Sequence, residues 1–336
     1  MHRNVSLRAV KYITYGILCI YYYFRILKKG DYDVIYANNS VVALAFLFLK
    51  PFIKTPIVIR YTDFLSSFLY EDKLYPKFFV DLLKFYEYRI ARIFDRVYVI
   101  TEKMKNELSD IGNVKREKIL VTLDGVDDVN FDPKKIGNDT RIEKRIELNI
   151  PKTSSLAIFH GTIEPHHGEY ILADIINMVT ESVDNIYFLL IGAGKGYESI
   201  KNNLANNDRV RLLDFVDYVE IPKYIAASDV GMVPYPKNHS MDLVFTLKFL
   251  EYLSMGVPCV LFDLESVKTA FGMHEFVKIS KTVEEFRDNI VDLARIGKQE
   301  RAVELIQSTF TWNKVGLVLK GDIVELLSTS GKASAN

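Results

Sequence analysis

The sequence predicts an α/β protein made of two doubly wound, Rossmann-like domains, and three observations support this prediction. Short apolar segments alternate with segments of helical spacing along almost the whole chain, as in parallel sheets covered by helices. The alternation stops once, in a polar, charge-dense segment at residues 132–151 that predicts a linker. A length of 336 residues also exceeds what one hydrophobic core usually organises. We expect domains at residues 1–150 and 151–309, then a helix at 310–330 and a tail at 331–336.

The predicted strands are short runs of apolar, β-branched or aromatic residues that end in polar or turn-forming residues. In the first half they occupy residues 33–38, 56–61, 96–101 and 118–125, with helical spacing at 78–94 and 103–111. The pattern restarts in the second half, with strands at residues 155–161, 186–194, 209–215, 230–235 and 257–263. Trp312 opens a final predicted helix that ends near residue 327.

The first 60 residues are rich in Lys and Arg, and Asp31 and Asp33 are their only acidic residues. Within them, residues 13–24 form an apolar run that falls short of the roughly 20 residues that a membrane-spanning helix needs. We expect this run to form a buried or interface helix of the first domain. The alternative is a helix on an anionic membrane surface, which three consecutive tyrosines and the flanking cations favour.

The composition argues against several classes of function. The 43 Lys and Arg residues balance 43 Asp and Glu residues, and no nucleic-acid-binding motif is present, so nucleic acid is not expected as a partner. Cys19 and Cys259 lie in apolar runs, which argues against a disulfide framework or a cysteine-based metal site. We expect a cytoplasmic protein, with peripheral contact at the inner face of the membrane if the N-terminal helix lies there.

Open parallel sheets bind ligands beyond the carboxyl ends of their strands, so the loops at those ends contain the candidate binding residues. The strand at 155–160 is followed by Gly161 and Thr162, and the loop continues through His166 and His167 into a predicted helix. Glycine allows the backbone to approach an anion, and the helix start offers unpaired amides. This pattern predicts anion binding, and the alternative is an ordinary turn with two solvent-facing histidines.

The strand at 186–191 is followed by Gly192 and Gly194, directly before another helix. A phosphate-binding turn and a simple tight turn are equally favoured here, because the full dinucleotide-binding fingerprint is missing. Phe215, at the end of the strand at 209–215, completes the candidate binding residues of this part of the chain.

The segment from Asp242 to Pro258 carries the most specific signal. A helix is predicted from about Thr246, and its first amides, at and after Leu247, suit a bound diphosphate. Lys248 lies in the first turn and Glu251 one turn further on, where a carboxylate can accept two ribose hydroxyls. Glu251 has apolar neighbours in the sequence and therefore needs a partner for its charge. The alternative is a salt bridge from Lys248 to Glu251.

The run from Ala227 to Pro258 resembles the donor-site motif of family 4 glycosyltransferases, which have the GT-B fold and retain the anomeric configuration. Other segments resemble landmarks of this family in the expected order, namely ILVTLDGVD at 119–127, FHGTIEPHHG at 159–168, LLIGAGKG at 189–196 and FTWNKV at 310–315. The resemblance extends over residues 33–327. It implies domains that face a central cleft, a C-terminal helix that returns to the first domain, and a nucleotide-diphosphate sugar as co-substrate without a further cofactor.

The resemblance also implies roles for single residues in the donor half. Glu251 corresponds to the second Glu of the family's Glu-x7-Glu pair, which holds the donor ribose. Leu243 replaces the first Glu, and Asp242 is the nearest acid and the expected stand-in. Many relatives with a Lys-x-x-Glu-Tyr form of the motif depart at the same point.

The cations of the family's diphosphate site are also replaced. Thr162 and His167 stand where relatives have the Arg and Lys that neutralise the diphosphate. The resemblance therefore leaves this task to the helix amides, to Lys248 and to His166 or His167.

In the first half, Arg60-Tyr61-Thr62-Asp63 ends a strand where many relatives have a His-Asp element beside the reacting sugar. Thr62 falls at the His position and Asp63 at the acid. We expect Asp63 to face the acceptor with Arg60 as its neighbour, and a helix N-cap role for Asp63 is the alternative. Relatives begin with an additional strand and a glycine-rich loop, which predicts a shortened enzyme, a start further upstream, or a partner chain that supplies these elements.

The expected function is that of a metal-independent, retaining hexosyltransferase that moves a sugar from a nucleotide-diphosphate sugar to a glycan or lipid-linked acceptor. One alternative is a nucleotide-sugar epimerase on the same fold, which the motif from Lys248 to Glu251 fits less well. The other is a subunit that binds a sugar nucleotide or a partner without catalysis, which the changes at Thr62 and Thr162 favour.

Overall fold

The computed structural model describes residues 3–27, 31–72, 75–164 and 167–329. Its internal contacts divide the chain into two compact units. Unit 1 contains the described residues up to Leu123 and those from Gly316 onward, and unit 2 contains Asp124–Val315. Each unit is built on one parallel sheet, as predicted.

Unit 1 has a four-stranded sheet in which the strands lie in chain order. They are β1 (Ile35–Asn38), β2 (Ile57–Tyr61), β3 (Arg96–Val99) and β4 (Ile119–Val121). All five residues of β2 are buried, which agrees with a run that is apolar on both faces. The register places Ile59 opposite Ala37 on one side and Val97 on the other. The four strands predicted in this half are confirmed.

The helices of unit 1 follow the polar caps in the sequence. They are α1 (Arg3–Leu27), α2 (Ser40–Leu49), α3 (Leu65–Asp72), α4 (Lys77–Ile90) and α5 (Glu102–Asp110). Asn39 caps α2 by accepting hydrogen bonds from the amides of Val41 and Val42, and Thr101 caps α5 through the amide of Met104. The helices predicted at 78–94 and 103–111 correspond to α4 and α5.

The predicted N-terminal helix exists, but it is not buried. It contacts α2, where the ring of Tyr23 meets that of Phe46 edge to face at 5.4 Å. Most of its other described apolar side chains are exposed, among them Tyr15, Ile17 and Tyr21. Burial is not seen, because one neighbouring helix can cover only one face of α1, and the contact with α2 agrees with the other form of the expectation, an interface helix of the first domain. Within the described ranges, no helix combines the length and the apolar composition that crossing a bilayer requires.

Unit 2 has a six-stranded sheet with the order β10-β9-β8-β5-β6-β7. Its strands are β5 (Ser155–His160), β6 (Ile186–Ile191), β7 (Val210–Leu213), β8 (Val230–Val233), β9 (Cys259–Phe262) and β10 (Val277–Ser280). The chain adds β6 and β7 on one side of β5 and then crosses to add β8 on the other side. This reversal is the topological switch point at which open α/β sheets bind ligands. β10 is not among the predicted strands, and its two central residues are only half-buried.

The described part of unit 2 contains nine α-helices before the C-terminal helix. They are α6 (Asn138–Glu147), α7 (Glu169–Ser182), α8 (Tyr197–Asn203), α9 (Ile221–Ala227), α10 (His239–Leu243), α11 (Leu247–Ser254), α12 (Glu265–Phe271), α13 (Val283–Leu293) and α14 (Glu300–Thr309). The last helix, α15 (Trp312–Thr329), continues into unit 1.

Residues 124–150, which the sequence analysis assigns to the first domain, are grouped with unit 2 by their contacts. The polar segment predicted as a linker contains α6. Its Arg141 and Arg145 bind the two carboxylate oxygens of Asp229, at 2.6 Å and 3.2 Å. These ion pairs fix α6 beside the start of β8. Asp229 is 88 residues from Arg141 along the chain.

The C-terminal helix is anchored in unit 1 by a carboxylate. Oδ2 of Asp322 accepts hydrogen bonds from Nε of Arg96 at 2.9 Å and from the hydroxyl of Tyr98 at 2.8 Å. Both donors are on β3, so α15 lies against this strand. The expected return of the terminal helix to the first sheet is therefore seen within unit 1.

Candidate functional site

The loops at the carboxyl ends of β5, β6 and β7 enclose a pocket of about 320 Å³ in unit 2. It lies beside the switch point of the sheet, where the topology predicts a ligand site. Four residues singled out in the sequence line it, namely Gly161, Thr162, Gly192 and Phe215. His160, Tyr218 and Ile221 are further lining residues.

Glu251, on α11, is 4 % exposed and is anchored by two side chains that also line the pocket. Oε1 accepts a 2.7 Å hydrogen bond from the hydroxyl of Tyr218. Oε2 lies 3.2 Å from Nε2 of His160, and this contact is an ion pair only when the imidazole is protonated. Nε2 does not meet the criteria of an aligned hydrogen bond, but the contact is short enough to favour the ionised carboxylate.

The surroundings of Glu251 keep its carboxyl ionised. Burial acts to raise its pKa, but the contact with His160, the hydrogen bond from Tyr218 and the charge of Lys248 together lower the pKa below its ordinary value. In the opposite sense, burial and the neighbouring carboxylate raise the pKa of Tyr218 far above its ordinary value. The site therefore presents a fixed carboxylate and a protonated phenol.

Two glycines allow the loops to approach each other closely. Gly192 has a φ of 155°, and a Cβ there would overlap the carbonyl oxygen of Gly161. Gly161 has a φ of 120°, and a Cβ there would lie 2.8 Å from Nζ of Lys248. Both φ values favour glycine, and a side chain at Gly192 would also push the two loops apart. Gly194 lies in the same turn, against the backbone of Ile163.

Lys248 is buried in the first turn of α11, and its ammonium contacts Tyr235. Nζ donates a 2.5 Å hydrogen bond to the hydroxyl of Tyr235. It also lies 4.5 Å from the ring centre of Phe159 and 4.7 Å from that of Tyr235. The alternative of a Lys248–Glu251 salt bridge is not realised in the described structure, although the two charges are close enough to influence each other.

His167 is half-buried and oriented rather than free in solvent. Its Nδ1 lies 3.1 Å from Oγ1 and 3.0 Å from the carbonyl oxygen of Thr162. Its ring stacks on that of Tyr235, with 4.6 Å between centres and 13° between planes. The alternative of a solvent-facing histidine does not describe this residue. His166 lies outside the described residues.

The start of α11, which contains Lys248, also offers backbone hydrogen-bond donors. Thr246 is the N-cap residue, and its side chain makes no capping hydrogen bond. The first amides of the helix, from Leu247 onward, therefore lack this usual side-chain acceptor. Together with Lys248, they form an environment suited to an anion.

Asp242, Arg60 and Asp63 are not among the residues that line this pocket. Oδ1 of the buried Asp242 accepts a 3.2 Å hydrogen bond from the amide of Glu265, at the start of α12. Arg60 is buried in β2, where Nη2 donates to the carbonyl of Thr122 at 3.4 Å. Burial raises the pKa of the Asp63 carboxyl, which follows β2. The functional roles expected for these three residues stay predictions.

Another carboxylate already binds amides at the start of the helix that follows Asp63. The amides of Leu65 and Ser66, in the first turn of α3, bond to the carboxylate of Glu87 at 2.9 Å and 2.8 Å. Glu87 therefore accepts from two of the amides at the start of this helix.

Sequence reasoning missed His160, Tyr218 and Tyr235. His160 is the last residue of a predicted strand and directly precedes Gly161, so its position in the sequence could have indicated a binding residue. Tyr218 reaches Glu251 across 33 residues, and Tyr235 joins residues from two other loops. No local pattern predicts these contacts, because they depend on the strand order.

Two family models match the chain. The model described as Glycosyltransferase Family 4 matches residues 2–129, and the model described as Glycosyl transferases group 1 matches residues 154–295. No curated protein sequence matches significantly.

Several solved structures share the fold. Sucrose-phosphate synthase from Thermosynechococcus elongatus has a TM-score of 0.74 at 15 % identity, with 92 % of this chain and 77 % of that chain covered. A glycosyltransferase from Rickettsia africae has a TM-score of 0.72 at 15 % identity, with coverages of 93 % and 81 %. HepE from Anabaena, in complex with UDP-glucose, has a TM-score of 0.68 at 18 % identity, with coverages of 89 % and 79 %.

At these identities, the structural matches show the fold alone, which is GT-B-like with two parallel Rossmann-like sheets. The family models add the relationship in sequence, and between them they match both sheets. The chain therefore belongs to the group 1, family 4 glycosyltransferases.

Proposed function

We propose that this glycosyltransferase moves a hexose from a nucleotide-diphosphate sugar to a glycan or lipid-linked acceptor, with retention of configuration. The observation that carries the proposal is the buried Glu251 carboxylate, fixed by Tyr218 and His160 beside the pocket in unit 2. HepE, a structural neighbour, was solved in complex with UDP-glucose, which supports a nucleotide sugar as the donor.

In this proposal the donor lies along the carboxyl ends of the sheet of unit 2. Glu251 accepts the ribose hydroxyls, and the pocket beside Gly161 and Phe215 takes the nucleoside. The amides that begin α11, with Lys248 and His167, neutralise the diphosphate. Stabilisation of the leaving diphosphate by prearranged donors and a cation gives an electrostatic route that requires no metal ion.

The acceptor side is assigned to unit 1 and to the segment around Asp242. The raised pKa of the Asp63 carboxyl makes it a better proton acceptor than an ordinary aspartate, which suits contact with an acceptor hydroxyl. Arg60 precedes it in the same strand end. Asp242 is proposed to act near the transferred sugar in place of the family's first Glu.

An exposed apolar face of α4 supports a lipid-linked acceptor and peripheral contact with an anionic membrane. Phe78, Leu82 and Phe85 lie at helical spacing and are 75 %, 52 % and 50 % exposed. Lys77 and Arg89 flank them, and the guanidinium of Arg89 lies 4.6 Å from the ring centre of Phe85. Aromatic residues framed by cations suit the interface of an anionic bilayer at the cytoplasmic face.

A partner chain that pairs with unit 1 is supported by one feature of its sheet. Among the described strands, β1 pairs only with β2, so it is an edge strand of the sheet. Backbone groups on the outer side of an edge strand can pair with another strand.

The test is to incubate the purified chain with a panel of UDP-, GDP-, ADP- and dTDP-sugars, with and without lipid extract. Release of nucleoside diphosphate and the anomeric configuration of the product are measured. We expect one donor to be consumed with retention, and Glu251→Ala to lower turnover at least about 100-fold. Glu181→Ala, at an exposed carboxylate on α7, should match the wild type.

The proposal fails if no donor is bound or consumed, or if Glu251→Ala behaves as the wild type. Epimerisation of the donor without an acceptor would establish the epimerase alternative. Donor binding without turnover under every condition would establish a non-catalytic subunit.

A further inference from the structure

We propose that Tyr235 is a positioning residue that places both Lys248 and His167 for contact with the donor diphosphate. The inference rests on the proposed function, because it concerns the same donor site. Tyr235 lies within the motif at 227–258, but the sequence predicts no role for its side chain.

Tyr235 lies two residues after the end of β8, on the opposite side of the switch point from β6. Its side chain is nearly enclosed, with 6 % of the residue exposed. Its hydroxyl accepts the hydrogen bond from Lys248, and its ring stacks on His167. One side chain therefore joins the loop after β5 to the first turn of α11.

The lysine needs such a partner because its side chain is long and its charge is otherwise unpaired. Among the described residues, no carboxylate lies within 4.0 Å of Nζ of Lys248. The phenol oxygen and the faces of Tyr235 and Phe159 orient the ammonium but do not cancel its charge. The charge stays available to an anion near Gly161, whose missing Cβ leaves room for it.

The histidine is fixed by the same ring. Nδ1 of His167 is bound to Thr162, and stacking on Tyr235 sets the plane of the imidazole. A Thr and a His thus occupy a loop that Tyr235 links to Lys248. In place of two independent cations, the site has Lys248 and His167, and the positions of both side chains depend on Tyr235.

Binding of nucleoside diphosphates and of their nucleosides separates this role from a general effect on folding. Affinities of UDP, GDP, ADP and dTDP, and of uridine, guanosine, adenosine and thymidine, are measured by calorimetry for each variant. For the diphosphate that binds best, we expect Tyr235→Phe to raise Kd about 10-fold, because a hydrogen bond to a charged group is lost. The Kd of the matching nucleoside should change less than about 2-fold.

Two further variants examine how the tyrosine acts. Lys248→Met should weaken diphosphate binding by at least as much, and Tyr235→Phe added to it should have little further effect, because the hydroxyl acts through the ammonium. Tyr235→Leu should weaken binding more than Tyr235→Phe, because it also removes the surface on which His167 stacks.

Tyr224 provides a matched control in unit 2. It is also buried, and Nζ of Lys144 lies 3.4 Å from its hydroxyl and 4.5 Å from its ring centre. Tyr224→Phe should leave the affinities for diphosphate and nucleoside unchanged.

Equal losses of diphosphate and nucleoside affinity in Tyr235→Phe would overturn the inference. Additive effects of Tyr235→Phe and Lys248→Met would do the same. Unchanged diphosphate binding in Tyr235→Phe would remove the inference and leave the proposed function standing. If the wild type binds none of the diphosphates, the proposed function and this inference fall together.

Discussion

The hydroxyl of Tyr218 donates a 2.7 Å hydrogen bond to Oε1 of Glu251. Glu251 is buried and Tyr218 is about half-exposed. Each group shifts the pKa of the other: the phenol helps to keep the carboxyl ionised, and the carboxylate helps to keep the phenol protonated. A buried carboxylate without such a donor would be costly. The proposed ribose-binding group is therefore fixed before the donor arrives.

Removing the phenol hydroxyl should loosen this arrangement. We expect Tyr218→Phe to lower the free energy of unfolding by about 1–2 kcal/mol and to weaken nucleoside binding about 5- to 10-fold, because Oε1 loses its donor. Urea unfolding and calorimetry measure the two effects. Tyr170→Phe, at an exposed tyrosine on α7, is the control, and equal behaviour of the two variants would contradict the prediction.

The stability contributed by the Glu251 carboxylate should depend on pH in one direction. Its folded-state pKa is below its ordinary value, so the contribution is fully present above the unfolded pKa, about 4.3, and is lost as pH falls through the folded pKa. We expect the difference in unfolding free energy between wild type and Glu251→Gln to shrink below about pH 4.3. A difference that stays constant between pH 7 and pH 3.5 would count against the assignment.

The close approach of two loops should make Gly192 intolerant of a side chain. We expect Gly192→Ala to destabilise unit 2 by about 1–3 kcal/mol and to reduce donor binding, because its Cβ would overlap the carbonyl of Gly161. Gly321→Ala is the matched control. A Cβ there meets nothing within 4 Å on α15, so a neutral or slightly stabilising effect of up to about 1 kcal/mol is expected in thermal unfolding.

The terminal helix should depend on one carboxylate. Asp322→Ala leaves Arg96 and the hydroxyl of Tyr98 without their shared acceptor, which we expect to cost about 1–3 kcal/mol. Hydrogen exchange should show faster opening of residues 316–329. Glu325→Ala, at an exposed position of the same helix, should leave exchange unchanged, and similar exchange in both variants would refute the anchoring role.

The exposed face of α4 predicts binding to anionic vesicles. We expect the wild type to sediment with vesicles that contain anionic lipid, and the triple variant Phe78→Ser, Leu82→Ser, Phe85→Ser to bind at least about 10-fold more weakly, because each side chain would bury apolar surface. Met273→Ser, at a fully exposed apolar side chain of unit 2, is the control. Undiminished sedimentation of the triple variant would exclude this face as the contact.

Much of the architecture could be read from local patterns. Runs such as Ile57–Tyr61 are apolar on both faces and predict buried parallel strands, and the start of α11 near Thr246 follows from its apolar, helical spacing. Strand β10 was not predicted because its sequence, VKIS, mixes polar and apolar residues. The segment at 132–151 reads as a linker because its polarity is visible, whereas the attachment of α6 to Asp229 is not.

In the donor site, the sequence by itself determined that Glu251 needed a partner, since its neighbours are apolar and an isolated buried charge is unfavourable. The tertiary structure alone decided that the partners are Tyr218 and His160, and that Lys248 turns to Tyr235 instead of to Glu251. The physical reason is the crossing from β7 to β8 past β5. It brings loops that are far apart in the chain to one edge of the sheet, and periodicity within each segment carries no information about that crossing.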